Sequence, residues 1–344
     1  MKTFVIFAGL VLLIGIFGCI GGGQTPPPPV ENKTNGSNNT GVNIIIEEQK
    51  NQTAEKNETE EKPPEELPET KELEYTYDPN QRFGIYFIDV GGVGMQGDAI
   101  LIKKGDCDIL LDAGPAEKGN RVVDFLRSHD VDDIEVLIST NADPHHYGGI
   151  SAVADKYKIE EFWWNGETFS DTDYATIVSR MNASVKTVRK IGEGFSADLN
   201  GINFTALNPP AADTFDDVNN DAIVMRVVDR NFTMLLTSGV QTGAQGRLIN
   251  QKTEDIKTEI MQAPYYGVGS GTSNIGVMLI TAKPKIMIIS GSSDESAVNG
   301  GSREPFKRLM TQYGIKWYEN YVNGSIRVTG DGQTYTVSAL GAGQ

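Results

Sequence analysis

Four side chains able to bind a metal or move a proton crowd into six positions of one loop. They are Asn141, Asp143, His145 and His146, within the stretch VLISTNADPHHYGG at 136–149. The chain has three histidines, His129, His145 and His146, so two of the three fall here. Neutral imidazole and carboxylate are common ligands of a divalent metal, and a metal with an open position can polarise a scissile bond and generate hydroxide. Asp143, His145 and His146 are therefore a candidate set for one Zn or Mn ion, with Asp217 or Asp221 as candidate helpers. The competing reading is a polar loop in which Asp143 and His145 hydrogen-bond the backbone. Adjacent histidines need not face one way, and Pro144 restrains the loop between Asp143 and His145. The expectation is no cofactor or, at most, a single divalent ion.

The elements around the loop must position it. The apolar run 136–138 predicts a buried strand, and Gly148 and Gly149 lead into a helical segment over 150–157. Upstream, the alternating run 83–90 and the runs 96–102 and 109–114 predict strands, and 120–130 has helical spacing. His129 falls at that helix's end, where a surface or capping role is expected. The glycines at 91, 92 and 94 could cradle a phosphate, but no Lys or helix signal follows, so an extended hairpin turn is the better reading. Trp163 and Trp164 are candidate stacking contacts for a ligand, but a half-buried strand pair is the preferred reading. Cys107 has no histidine near it in sequence and reads as a buried structural thiol.

The N-terminus predicts a location outside the cytoplasm. Lys2 precedes an apolar run over 4–17 that closes on Gly18 and Cys19, the pattern of a secretory signal with a lipidation-type cysteine. An uncleaved signal anchor is the alternative, although a membrane span needs about 20 residues. The expected organisation is a signal over 1–19, a disordered linker over 20–80 and one folded domain over 81–344. The linker is rich in Asn, Thr, Glu and Pro, with N-glycosylation triplets starting at Asn32, Asn35, Asn38, Asn51 and Asn57. The formal charge of the chain is −16, of which the first 80 residues, with 6 basic and 13 acidic side chains, carry −7. An acidic domain argues against a nucleic-acid groove, which needs clustered Lys and Arg.

Taken together, these residues resemble the metallo-β-lactamase superfamily, and within it the extracellular hydrolase-like domain of the ComEC/Rec2 DNA-uptake proteins. The family signature is Thr-His-x-His-x-Asp-His-x-Gly-Gly, and Thr140, His146, Gly148 and Gly149 match it. Asn141, Asp143 and His145 stand in place of the first histidine, the second histidine and the aspartate. Gly239 takes the position of the family's metal-bridging aspartate, and Tyr265 and Tyr266 replace a histidine pair. The resemblance implies support roles for Asp89 and Asp112, the latter orienting the loop without binding metal. It covers about residues 83–338 and implies an α/β fold, a four-layer αββα sandwich of two mixed β-sheets. It also implies a metal-dependent phosphodiesterase or nuclease, whereas the replaced ligands point to a binding or accessory module. The expected partners are the membrane, through the N-terminus, and an envelope protein or ligand; nucleic acid enters only through the resemblance.

Overall fold

The computed structural model describes residues 73–92, 95–212, 214–268, 276–293 and 302–341. All of them lie in the second of two compact units, 66–344, into which the chain divides. The expected signal, Cys19 and the triplets from Asn32 to Asn57 fall outside the described residues. Among the described residues, no helix is long and apolar enough to cross a membrane.

Two mixed sheets form the framework. The first contains β1 (Phe83–Phe87), β2 (Ile100–Lys104), β3 (Cys107–Leu111), β4 (Ile134–Ser139), β5 (Ile159–Trp164) and β6 (Thr187–Lys190). The second contains β7 (Ser196–Leu199), β8 (Ile202–Asn208), β9 (Val224–Asp229), β10 (Phe232–Leu236), β11 (Ile260–Gln262), β12 (Ile286–Ile289) and β13 (Lys316–Glu319). The final hairpin, β14 (Ile326–Gly330) and β15 (Tyr335–Ala339), returns to the first sheet. The strand orders are β15-β14-β1-β2-β3-β4-β5-β6 and β13-β12-β11-β10-β9-β8-β7. Strands β3 to β6 run parallel, whereas β14, β1, β2 and β3 pair antiparallel.

The sequence explains the layering. All six residues of β4 are buried, as expected of a parallel strand covered on both faces. Its Val136 and Ile138 join Phe83, Ile85, Phe204 and Met234 in the core between the sheets. Its Leu137 packs outward, with Val122, Leu126, Ile150 and Tyr174, under α1 (Gly119–Ser128), α3 (Ile150–Ala154) and α4 (Thr172–Ser184). A third cluster seats α5 (Thr242–Gln251), α6 (Gly276–Ala282) and α7 (Glu304–Gln312) on the second sheet. Helix, sheet, sheet, helix is thus the order of layers.

Some local readings change and others hold. The helix expected over 150–157 ends at Ala154. Trp163 is not available for ligand stacking: it is 2% exposed, packs in the core between the sheets and donates Nε1–H to Glu161 Oε2 at 2.7 Å. Trp164 is half-buried against Tyr174. Gly92 and Met95 exchange backbone hydrogen bonds at 2.9 and 3.2 Å, the pairing expected of a hairpin. His129 caps α1, its Nδ1 lying 2.9 Å from Phe125 O and its ring stacked on Phe125. Cys107 opens β3 and is buried, and that burial pushes its thiol far above the ordinary range.

Candidate functional site

Strand exits build the site. At the end of β3, Asp112 adopts a left-handed backbone (φ 56°). Its carboxylate accepts from Thr140 N at 2.8 Å, Thr140 Oγ1 at 2.7 Å and His146 Nδ1 at 2.8 Å. One side chain therefore fixes both ends of the loop that follows β4. Within that loop, Asp143 caps a single turn, α2 (Pro144–Tyr147). The pyrrolidine of Pro144 sits at the first helical position, where its missing N–H costs nothing. The Asp143 Oδ1 atom accepts from His145 N and faces His145 Nδ1, each at 2.9 Å. Burial would raise the Asp143 pKa, but the His145 contacts and the nearby His146 outweigh it and hold the carboxyl at about 2.

His146 is the centre of the network. It is fully buried, with Nδ1 on Asp112 and Nε2 2.7 Å from the Tyr266 hydroxyl. Asp98 Oδ2 lies 3.8 Å from Nδ1. Burial alone would discharge the ring, but Asp112 first, then Asp98 and Asp143, push its pKa up to about 9. The imidazolium therefore donates from both nitrogens. Tyr266 remains a neutral phenol, its pKa raised by burial and then by the surrounding carboxylates.

The second sheet supplies the opposite wall. Gln262 Oε1 accepts from Thr237 N and Ser238 N, both at 2.9 Å, and so fixes the exit of β10. Ser238 Oγ lies 2.6 Å from Thr140 Oγ1, whose own proton is on Asp112. Ser238 (φ 50°), Tyr265 (φ 43°) and Tyr266 (φ 58°) join Asp112 in the left-handed region, a cluster of strain typical of sites held by their surroundings. Arg303, wholly buried, donates Nε–H to Tyr266 O at 2.8 Å and Nη1–H to Ser292 O at 2.9 Å. It thereby braces the Tyr265–Tyr266 turn from behind.

Gly239 explains the missing carboxylate. A Cβ built on it would lie 2.9 Å from Asn219 Oδ1, 3.0 Å from Asn141 Nδ2 and 3.6 Å from His146 Nε2. The amides of Asn141 and Asn219 thus crowd the space that a side chain at 239 would enter. Asn141, His146, Gly239 and Tyr266 are brought together, but Asp143 and His145 are turned to one another. The Asp143, His145 and His146 set does not converge on a metal, because both nitrogens of His146 are already committed. Among the described residues, no group of three or more His, Cys, Asp or Glu side chains is placed to hold a metal ion. Asp217 and Asp221 are no helpers either, since their oxygens accept backbone N–H groups at 215, 217, 219 and 220. Asp89 stands apart from the loop, beside Arg121, with Asp89 N on Ser325 Oγ. A divalent metal does not fit the donor set that remains.

Residues 92–234 match the family model described as the metallo-beta-lactamase superfamily. Over that stretch the chain is similar to a metallo-β-lactamase superfamily domain. Its similarity to the competence protein ComA of Neisseria gonorrhoeae is 23% identity over 233 residues, covering 67% of this chain and 30% of that protein. The ComE operon protein 3 of Bacillus subtilis is 19% identical over 217 residues, covering 62% and 27% respectively. An uncharacterized protein of Escherichia coli, YcaI, is 23% identical over 264 residues, covering 74% of this chain and 31% of its own length. The chain spans less than a third of the length of these relatives. Among solved structures, a CmlA beta-hydroxylase mutant aligns with TM-score 0.50 at 8% identity, over 72% of this chain and 53% of that one. That likeness is one of fold.

Within this metallo-β-lactamase fold, the sequence had pointed to the loop but not to everything that holds it. Arg303, Gln262, Ser238, Asn219 and Asp98 carry no mark of a site residue in the sequence. No local spacing ties any of them to the loop.

Proposed function

We propose that the chain is a membrane-anchored, extracellular metallo-β-lactamase-fold protein that has given up metal-dependent hydrolysis and acts as a binding or accessory module. One observation carries this reading: His146 is locked between Asp112 and Tyr266 with both ring nitrogens occupied. A metal ligand must present a neutral nitrogen lone pair, and this ring presents none. The N-terminal pattern ending in Cys19 supports anchoring on the outer face of the membrane. The resemblance to the ComEC/Rec2 DNA-uptake proteins supports a partner in the cell envelope, with nucleic acid as a ligand by relationship only.

The family match favours a second reading, a phosphodiesterase or nuclease with a rearranged mono-metal site of Asp143, His145 and His146. Elemental analysis separates the two. The full chain, purified without chelator and reloaded with Zn²⁺ or Mn²⁺, is expected to retain less than about a tenth of an equivalent. Close to a full equivalent, lost in His146→Ala, would overturn the binding-module reading and reinstate the hydrolase.

Restoring the family aspartate alone is expected to fail. Gly239→Asp forces a Cβ to within 3.0 Å of the Asn219 and Asn141 side-chain amides, so stability falls by about 1–3 kcal/mol. Thermal unfolding with and without Zn²⁺ checks this, and a variant that zinc stabilises would contradict it.

A further inference from the structure

We infer that Asn203 and Asn231 are acceptors for N-linked glycans, transferred from an oligosaccharide carried on a polyprenyl phosphate. The inference rests on the extracellular placement proposed above and concerns the end of the sheets remote from the His146 network. Four Asn-x-Ser/Thr triplets start between residues 81 and 344, at Asn182, Asn203, Asn231 and Asn323. Such a triplet marks an acceptor where its asparagine stands at the surface of a secreted chain. The fold separates the four.

Asn203-Phe-Thr and Asn231-Phe-Thr share one construction. In each, the phenylalanine is an inward residue of a strand, Phe204 in β8 and Phe232 in β10, and both are buried in the core between the sheets. Strand alternation turns the residues on either side away from that core. Asn203 and Asn231 are accordingly exposed, and Thr205 and Thr233 are half-buried. The Thr205 hydroxyl donates to Asn203 Oδ1 at 3.0 Å, so the two groups of that triplet stand together on one face. Neither amide nitrogen is held by a buried partner. Nδ2 of Asn203 donates to Ser196 Oγ at 3.3 Å and Nδ2 of Asn231 to Gln333 Oε1 at 2.8 Å, both exposed contacts.

Position keeps the two acceptors clear of the site. Strands β8 and β10 both pair antiparallel with β9, so they run in one direction. The exit of β10 leads to Ser238, whereas Asn231 precedes its first residue and Asn203 is the second residue of β8. Asn203, Val228 and Thr233 form one row across these three strands, with Val228 half-buried. A glycan on Asn203 is placed to cover that row and to leave the loop after β4 open.

The other two triplets are closed. Asn182 and Ser184 lie on α4, where residues two apart face away from one another, and Ser184 Oγ donates to Arg180 O at 2.9 Å. Asn323 Oδ1 accepts Glu319 N–H at 3.1 Å, and the hydroxyl of the buried Ser325 accepts Asp89 N–H at 3.1 Å. In the transfer itself, the asparagine nitrogen bonds to the anomeric carbon of the sugar. The bond from that carbon to the carrier's phosphate oxygen breaks, its electron pair stays on the oxygen, and the amide gives one proton to a base of the transferase. Nothing is oxidised or reduced.

Peptide mass spectrometry of the full chain, isolated from the membranes of the cells that make it, tests this. Glycopeptides at Asn203 and Asn231, with Asn182 and Asn323 bare, are the expected result. Asn203→Gln and Asn231→Gln should each remove the mass of one glycan. Thr205→Ala should remove the Asn203 glycan with the asparagine still in place, and Thr205→Ser, which keeps the triplet, should retain it. Both asparagines are exposed, so their variants fold. Bare Asn203 and Asn231 peptides overturn the inference, as does a glycan on Asn323 as frequent as theirs. A membrane-impermeant amine label on intact cells reads the location separately. A chain that is labelled but bare sinks the inference alone, and one that is unlabelled and bare takes the extracellular placement with it.

Discussion

His146→Ala is expected to lower the stability of the folded unit by about 3–5 kcal/mol, the range for removing one partner from a buried charge pair. The loss follows from what the ring leaves behind. Asp112 and Asp98 are each 2% exposed, and the imidazolium is the cation beside both. The Tyr266 hydroxyl would lose its partner at 2.7 Å as well. Urea unfolding of the wild type and variant measures the difference. A loss below about 1 kcal/mol would show that the ring is not the charged centre of the network. Should the alanine variant fail to fold, Tyr266→Phe keeps the test alive, because it removes one hydrogen bond at a cost of about 1–3 kcal/mol. In a double-mutant cycle, Asp112→Asn and His146→Ala are expected to cost less together than their separate losses added, since each strands the other. A hydrolase reading makes a different forecast: catalytic ligands are replaced with loss of metal and little loss of fold.

This network marks the boundary of what sequence alone conveys. The fold was legible because its determinants are local and repetitive. Apolar runs of strand length gave β1 to β4, and the spacing of Val122, Val123, Phe125 and Leu126 gave the buried face of α1. The loop was legible because Asn141, Asp143, His145 and His146 are dense in polar ligands and follow a buried strand. The state of those side chains was not legible. Whether His146 faces a metal or a phenol depends on Tyr266, 120 residues away, and on a left-handed turn that no propensity predicts for two consecutive tyrosines. Arg303 braces that turn from a distance of 37 residues, with nothing in its own neighbourhood to mark it. Trp163 stood open between a strand and a ligand contact for a related reason. Alternation along β5 leaves the inward face open to either sheet or ligand, and only the second sheet decides it.

At the opposite end of the same strands, a second pair of buried acids sets how stability depends on pH. Asp108 and Glu135 are fully buried, and Glu135 Oε2 accepts Asp108 N–H at 2.6 Å. Burial raises both, against the pull of Lys103 on Asp108 and of backbone N–H groups on Glu135. Asp108 is pushed up from 3.8 to about 7, and Glu135 from 4.5 to about 8. A carboxyl whose folded pKa is raised keeps its proton in the native state after the unfolded chain has lost it. Stability is therefore full below the unfolded values and falls as pH rises through about 7 and then about 8. His146, raised from 6.5 to about 9, acts in the same direction over a window displaced upward. Between pH 5 and pH 9 the wild type is expected to lose on the order of 3 kcal/mol or more. Glu135→Gln separates the contributions, because the amide keeps an acceptor for Asp108 N–H and cannot ionise. The variant should match the wild type near pH 5 and exceed it by about 1–3 kcal/mol at pH 9, with a shallower slope between. Unfolding free energies at several pH values give that slope directly, and coincident curves would mean that Glu135 is solvated when charged and that the loss belongs to His146 and Asp108.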